Sequence, residues 1–296
     1  EIGSGLVGSE MCIRDRDECE RTMARELFSA LSAVTGYVPP WGILTGVRPS
    51  KLMLKLIESL GEKGAYDYFT KKLLVSEPKA RLAQSVAGTE QEIAALGDER
   101  SFSLYIAIPF CPSRCSYCSF VSHSITNANA AKLLPVYVDD LCRELEITGK
   151  IVRDIGLRLE SIYIGGGTPS ILPEEQIGKI LGTLRNTFKI SDDAEITIEA
   201  NPGTLDGSKL AAYRAYGINR LSIGLQSANN DELRMLSRIH SKEEFENTYM
   251  LSRMEGFDNI NIDIMYALPN QKKETFQKTL DYVISLSPEH ISMYGL

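Results

Sequence analysis

The chain has 296 residues, 43% of them hydrophobic, and a formal net charge of −7 at pH 7, enough apolar material for one large core and a smaller satellite domain. Its pI near 5.2 and the lack of a basic run able to neutralise phosphates argue against a nucleic-acid partner. No apolar run approaches the roughly eighteen residues a membrane span needs, and six cysteines are too sparse for a disulfide-stapled secreted scaffold, so a reducing, cytoplasmic setting is expected.

Residues 1–16 include Leu6-Val-Gly-Ser-Glu-Met-Cys-Ile-Arg-Asp-Arg16, which reads as translated adapter sequence and is set aside from fold reasoning; a genuine flexible, glycine-bearing terminus is the alternative. Residues 17–100 show helical apolar spacing, as at Leu52, Leu56, Ile57 and Leu60, with turn signals at Val38-Pro-Pro40 and Gly61. They are expected to form a small helical N-terminal domain or extension. Gly97-Asp-Glu-Arg100 is a polar hinge before the second domain, residues 101–296.

From Ser103 onward, short β-rich runs alternate with longer helical patterns, as parallel βα units do. The runs are Leu104 to Ile108, Ser161 to Ile164, Glu195 to Glu199, Arg220 to Leu225, Asn259 to Ile264 and His290 to Met293. Six strands with five helices between them predict an α/β fold, a partial (βα)6 TIM-like barrel. The last run ends close to Leu296, which is read as an incomplete C-terminus. In such barrels the chemistry sits at the carboxyl ends of the strands, where the chain's unusual motifs fall.

The first motif is Cys111-Pro-Ser-Arg-Cys-Ser-Tyr-Cys118, directly after the first strand-like run. The spacing C-x-x-x-C-x-x-C puts three thiolates on one loop. A [4Fe-4S] cluster held by three thiolates keeps one iron without a protein ligand, free to hold a small molecule. A zinc site would need a fourth ligand, for which His123 is available, whereas zinc ribbons ordinarily bring a second C-x-x-C pair, absent here. A disulfide would strand the third cysteine. Of the others, Cys142 lies in a helical pattern and reads as a small buried side chain, and Cys12 and Cys19 sit near the doubtful N-terminus.

With the blocks that follow it, the triplet resembles the signature of the radical S-adenosylmethionine (radical SAM) superfamily, in which an aromatic residue, here Tyr117, precedes the third cysteine. Gly165-Gly-Gly-Thr-Pro-Ser170, Glu199-Ala-Asn-Pro202, Arg220-Leu-Ser-Ile-Gly-Leu-Gln-Ser227 and Asn261-Ile-Asp-Ile-Met-Tyr266 resemble, in that order, motifs of the branch containing oxygen-independent coproporphyrinogen III oxidase. The resemblance runs from about Ser103 to Leu296. A long segment ahead of the cysteines and Gly46-Val-Arg-Pro-Ser-Lys51 look most like the HemZ-type, coproporphyrinogen dehydrogenase-like subgroup.

The resemblance implies a role for each motif. Cys111, Cys115 and Cys118 would hold the cluster, whose open iron chelates the amino and carboxylate groups of S-adenosylmethionine (SAM) before an electron cleaves the sulfonium C–S bond. Gly165, Gly166 and Gly167, followed by Thr168, let the backbone approach a ligand and present carbonyls to the methionyl amine. Glu199 would accept hydrogen bonds from the SAM ribose, and Arg238 would pair with the methionyl carboxylate. Gln226 and Asp263, on the fourth and fifth strands, belong to the same cofactor-binding set, with Tyr117 packed near the adenine. Tyr105 matches a SAM-contacting tyrosine of the oxidase and is the catalytic candidate.

Two departures bear on the substrate: Ala107 stands where the oxidase has histidine, and Phe120 where it has a further cysteine. The implied activity is oxidative decarboxylation of porphyrinogen propionates to vinyl groups in haem biosynthesis, with Arg48 and Lys51 as candidate propionate clamps and an electron donor such as flavodoxin or ferredoxin as partner. The alternatives are a haem-binding chaperone of the HemW type and another radical SAM tailoring enzyme such as a methyltransferase.

Overall fold

In the computed structural model the chain divides into two compact units, Glu1–Asp98 and Glu99–Leu296. Residues 5–46 and 48–296 are described, residues 5–17 by their backbone alone. The adapter reading of residues 1–16 therefore falls outside the described residues at 1–4 and on backbone only beyond them.

The first unit contains helices α1 (Gly5–Thr35), α2 (Pro49–Asp67) and α3 (Glu77–Ala94), with a π-helical turn at Tyr68–Lys72. Ala80, Ala83 and Ala87 form one small-residue stripe on α3, and they share a core with Met53 of α2 and Phe69. Gly61, expected to mark a turn, instead kinks α2 through a φ of 72°, a conformation glycine adopts without steric cost.

In the second unit the elements are β1 (Ser101–Ile108), β2 (Phe110–Cys111), β3 (His123–Ser124), α4 (Ala128–Ile155), β4 (Arg158–Gly166), α5 (Glu174–Thr187), β5 (Ile190–Ala200), α6 (Gly207–Ala215), β6 (Arg220–Gln226), α7 (Asn230–Met235), α8 (Lys242–Met254), β7 (Ile260–Tyr266), α9 (Lys273–Ser285) and β8 (His290–Gly295). Strands β1, β4, β5, β6, β7 and β8 lie in that order in one sheet, parallel throughout. This is the curled half-barrel expected, with each strand-like run inside a strand to within one residue. Two details differ from the simple βα repeat. Two helices, α7 and α8, intervene between β6 and β7, and the cysteine loop is closed on itself by a two-residue parallel ladder pairing Phe110 with His123 and Cys111 with Ser124.

Side-chain alternation decides the two faces of the sheet. Ile106, Ile108, Ile162, Ile164, Ile196, Ile198, Leu221, Ile223, Leu225, Ile260, Ile262 and Ile264 are all buried in the main core. On that side Leu134, Val138, Leu141 and Leu145 of α4 and Ile177, Ile180, Leu181 and Leu184 of α5 cover them. Cys142 is buried there too.

The in-register rows of the opposite face are polar. Tyr105 pairs with Tyr163 and Thr197, Glu199 with Ser222 and Asn261, and Gly224 with Asp263 and Ser292. A closed TIM barrel fills its interior with bulky apolar side chains. This half-barrel keeps a hydrogen-bonding interior instead. Among the described residues no helix is long and apolar enough to cross a membrane.

Ile198 is fully buried in the sheet's outer face. Ile198→Ala is expected to cost about 2–5 kcal/mol of unfolding free energy through lost transfer energy and a residual cavity, read as a lowered urea midpoint with an unchanged slope.

Candidate active site

Two backbone stretches build the mouth of the half-barrel. After β1 the chain enters the cysteine loop, whose return is fastened by His123 N–H donating to the Pro109 carbonyl (2.9 Å) and Ile125 N–H to that of Cys111 (3.0 Å). After β4 comes the glycine turn, stapled to the same loop by Gly167 N–H to the Ile108 carbonyl (2.9 Å) and Thr168 N–H to that of Phe110 (2.8 Å). This proximity is why Gly167 has no side chain. A Cβ there would lie 2.5 Å from the Phe110 carbonyl oxygen and 2.9 Å from Cys111 Sγ. Gly166, at φ 109°, gives its amide to Glu199 Oε2 at 3.1 Å. With the amides of Gly166, Gly167 and Thr168 all engaged within the protein, what this turn can offer a ligand is an acceptor, suited to an amine.

A cavity of about 420 Å³ opens at this end. Its wall includes Cys111, Cys115, Tyr117 and Cys118 from the cysteine loop, Gly166, Gly167 and Thr168 from the glycine turn, and Glu199, Gln226, Arg238 and Asp263 from the later strands and loops. Residues some 150 positions apart in sequence thus share one wall, because parallel strands deliver all their carboxyl ends to one rim. Two residues of the expected set stand elsewhere. Gly165 lies behind the wall, where a Cβ would meet Tyr163 and Glu199 at 2.8 and 3.0 Å. Tyr105 is 58% exposed and stacks on Tyr163, ring centroids 5.8 Å apart, without lining the cavity. Arg48 and Lys51 belong to the first unit, at the start of α2.

Arg238 reaches the wall from the loop after α7, where Ser237 takes a left-handed φ of 56° and ends the helix. Its Nη2 donates to the Gly224 carbonyl at 2.8 Å and its Nη1 faces Cys115 Sγ at 3.6 Å. Its Nε is buried without a partner. Gly224 makes the approach possible, since a Cβ would sit 2.7 Å from Gln226 Nε2 and 3.1 Å from Arg238 Nη2. Gln226 occupies a bulge in the β6–β7 ladder with φ 70°. Behind it, His240 Nε2 bonds the Leu225 carbonyl at 3.2 Å. Burial and neighbouring Arg238 push His240 down to about 3, so it is neutral at physiological pH.

Both carboxylates of the wall are half-buried and hydrogen-bonded. Glu199 accepts from Tyr163 Oη at 2.8 Å besides Gly166. Burial raises its pKa, the two donors work against the rise, and Asp263 adds to it. Asp263 accepts from Asn261 Nδ2 at 2.9 Å and Ser222 Oγ at 3.3 Å. Burial raises it as well, against these donors and Arg238. Tyr117 packs against Leu236, Met265 and Leu268, and burial raises its phenol.

The chemistry of the donor set can be tested on this geometry. Cys111, Cys115 and Cys118 are free thiols, and among the described residues no three His, Cys, Asp or Glu side chains converge on a single ion's position. His123, the fourth ligand a zinc site would require, is exposed and packs on Phe110 at 5.9 Å between rings. A multi-iron cluster, in which each thiolate meets a different metal, fits this loop better than a tetrahedral zinc ion. Sequence reasoning missed Arg114, Asn201, Ser222 and Tyr294, which also line the cavity, and Tyr163, which supports it. Strand alternation carried a signal for Tyr163 and Tyr294, at inward positions two residues from a motif residue or from an in-register partner of one, and Ser222 stands within the Arg220–Ser227 motif itself.

Comparison with known proteins agrees with the geometry. The radical SAM superfamily model matches residues 105–283. The oxygen-independent coproporphyrinogen-III oxidase-like protein HemZ of Bacillus subtilis is 32% identical over 286 residues, 94% of this chain and 56% of that protein. The heme chaperone HemW of Haemophilus influenzae is 39% identical over 196 residues, 66% of this chain and 50% of that protein. Among solved structures, the coproporphyrinogen III oxidase HemN of Escherichia coli superposes with a TM-score of 0.61 at 33% identity, covering 71% of this chain and 47% of that one. The chain thus spans about half the length of the curated relatives it matches.

The raised carboxylates make stability depend on pH. Between the ordinary carboxylate pKa and the raised one, the folded chain keeps a proton that the unfolded chain has released, so stability falls as pH rises through that window. Glu199→Gln removes one such group and is expected to flatten the decline, measured by urea unfolding from about pH 4 to about pH 7.

Proposed function

The chain belongs to the radical SAM superfamily, and we propose that it is an oxygen-independent oxidase that decarboxylates coproporphyrinogen III propionates to vinyl groups. The observation that carries the reading is the convergence of three thiols, an amide-saturated glycine turn, a half-buried carboxylate and an arginine guanidinium on one cavity. A [4Fe-4S] cluster and SAM are the cofactors of this family, and together they supply one-electron cleavage of the sulfonium C–S bond.

Each residue of the wall then has a task. Cys111, Cys115 and Cys118 hold the cluster on a loop braced by its own ladder. The carbonyls of the glycine turn accept from the methionyl amine, and the Arg238 guanidinium donates to the methionyl carboxylate in a charge-assisted bond. Glu199 accepts from the ribose hydroxyls. Tyr117, with Leu236, Met265 and Leu268 behind it, walls the adenine, and Gln226 and Asp263 complete the polar side. Arg114, on the cysteine loop at the cavity, is a candidate for holding an acidic substrate group.

The alignment with the oxidase-like HemZ covers 94% of this chain, including residues ahead of the barrel. That breadth favours the oxidase reading. The second reading, a HemW-type haem chaperone, is supported by 39% identity over 196 residues and by Ala107 and Phe120 at the two positions where the oxidase carries histidine and cysteine.

Cys115→Ala is expected to lose the iron and sulfide that the parent takes up on anaerobic reconstitution, and retention of the full complement would refute the ligand assignment. With SAM and a reductant, 5′-deoxyadenosine formation is expected to depend on coproporphyrinogen III and to match release of carbon dioxide. Substrate-independent cleavage together with tight haem binding would select the chaperone reading instead.

A further inference from the structure

Tyr163, on β4, belongs to none of the motifs in the sequence, yet it controls the carboxylate on which ribose recognition depends. We infer that Tyr163 is a positioning residue that presents Glu199 as a two-oxygen acceptor for the vicinal hydroxyls of the SAM ribose. The inference rests on the reading of Glu199 given above.

The geometry is specific. Tyr163 pairs in register with Thr197, so on the inner face it stands one side chain below Glu199. Its hydroxyl donates to Oε1 at 2.8 Å, while the Gly166 amide donates to Oε2 at 3.1 Å. A carboxylate has about four acceptor sites, so one protein donor on each oxygen fixes the plane of the group and leaves each oxygen able to accept again. Two adjacent oxygens aimed into a cavity match a pair of cis hydroxyls. The tyrosine itself is held. Its ring stacks on Tyr105 with planes 10° apart, and at Gly165 a Cβ would press on its Cε1 at 2.8 Å, which is why the first position of the triplet is glycine. Tyr105 thus braces the ring of Tyr163.

The test compares two ligands on the cluster-reconstituted protein: S-adenosylhomocysteine and its 2′-deoxyribose analogue, titrated calorimetrically into the wild type, Tyr163→Phe and Glu199→Gln. The wild type is expected to prefer the ribose ligand. Tyr163→Phe should bind it about three- to tenfold more weakly, the effect of one hydrogen bond, while binding the deoxy analogue almost as the wild type does, with iron content and far-UV circular dichroism unchanged. A shared loss for both ligands would mark a packing residue and overturn the inference, as would Tyr163→Phe keeping full discrimination while Glu199→Gln loses it. If Glu199→Gln itself keeps the wild-type preference, the ribose reading of Glu199 fails, and the inference with it.

Discussion

The site depends on the distance between two pieces of backbone. The glycine turn after β4 and the cysteine loop after β1 are joined by hydrogen bonds from Gly167 and Thr168 to the carbonyls of Ile108 and Phe110, and they lie so close that a methyl group at position 167 would strike Cys111 Sγ. The loop carrying three thiols closes its return through the β2–β3 ladder. Cys118 N–H bonds the Cys115 carbonyl and Ser116 N–H that of Leu236, but the loop's position is set by the neighbouring strand. Parallel pairing of β1 with β4, Ile108 opposite Gly166, brings the two turns to the same height, and Arg238 then reaches Cys115 from the far side of the loop.

The rest of the wall follows from how the interior handles charge. An open half-barrel exposes one face of every strand to the site, and burying a carboxylate there is costly unless it is hydrogen-bonded. Glu199 is held by donors from β4 and the glycine turn and Asp263 by Ser222 of β6 and by Asn261 of its own strand, and Asn261 further donates to Ser222 at 2.8 Å and accepts from Ser292 at 3.0 Å. The polar belt thus crosses from β4 to β8. Networks of this kind fix side-chain orientation more sharply than apolar packing does, which is what recognition of a small polar cofactor asks of a binding wall.

Similarity to HemZ, HemW and HemN extends over the barrel whose motifs gather at the one cavity. These relatives differ in what their names say they do. Residues that meet the substrate are therefore the place where a difference in function is written, and in this chain Ala107, Arg114 and Phe120 are the residues around the cysteine loop to which that question attaches.

Much of this was legible in the amino-acid sequence. Isoleucine alternation marks the strands because one face of each must be buried under helices, and the thiol spacing with the glycine, Glu199 and Arg238 motifs names a chemistry, because residues that bind a cofactor must be particular types. Three things were decided only in three dimensions. The β2–β3 ladder has no signature, being two residues on each side. Tyr105 matched a ligand-contacting residue, but only its place in the sheet shows that it faces Tyr163 and stands off the cavity wall. Tyr163 and Ser292 look like ordinary strand residues; they join Ser222 and Asn261 of the motifs in one network because strand register, a property of the whole sheet, sets them side by side.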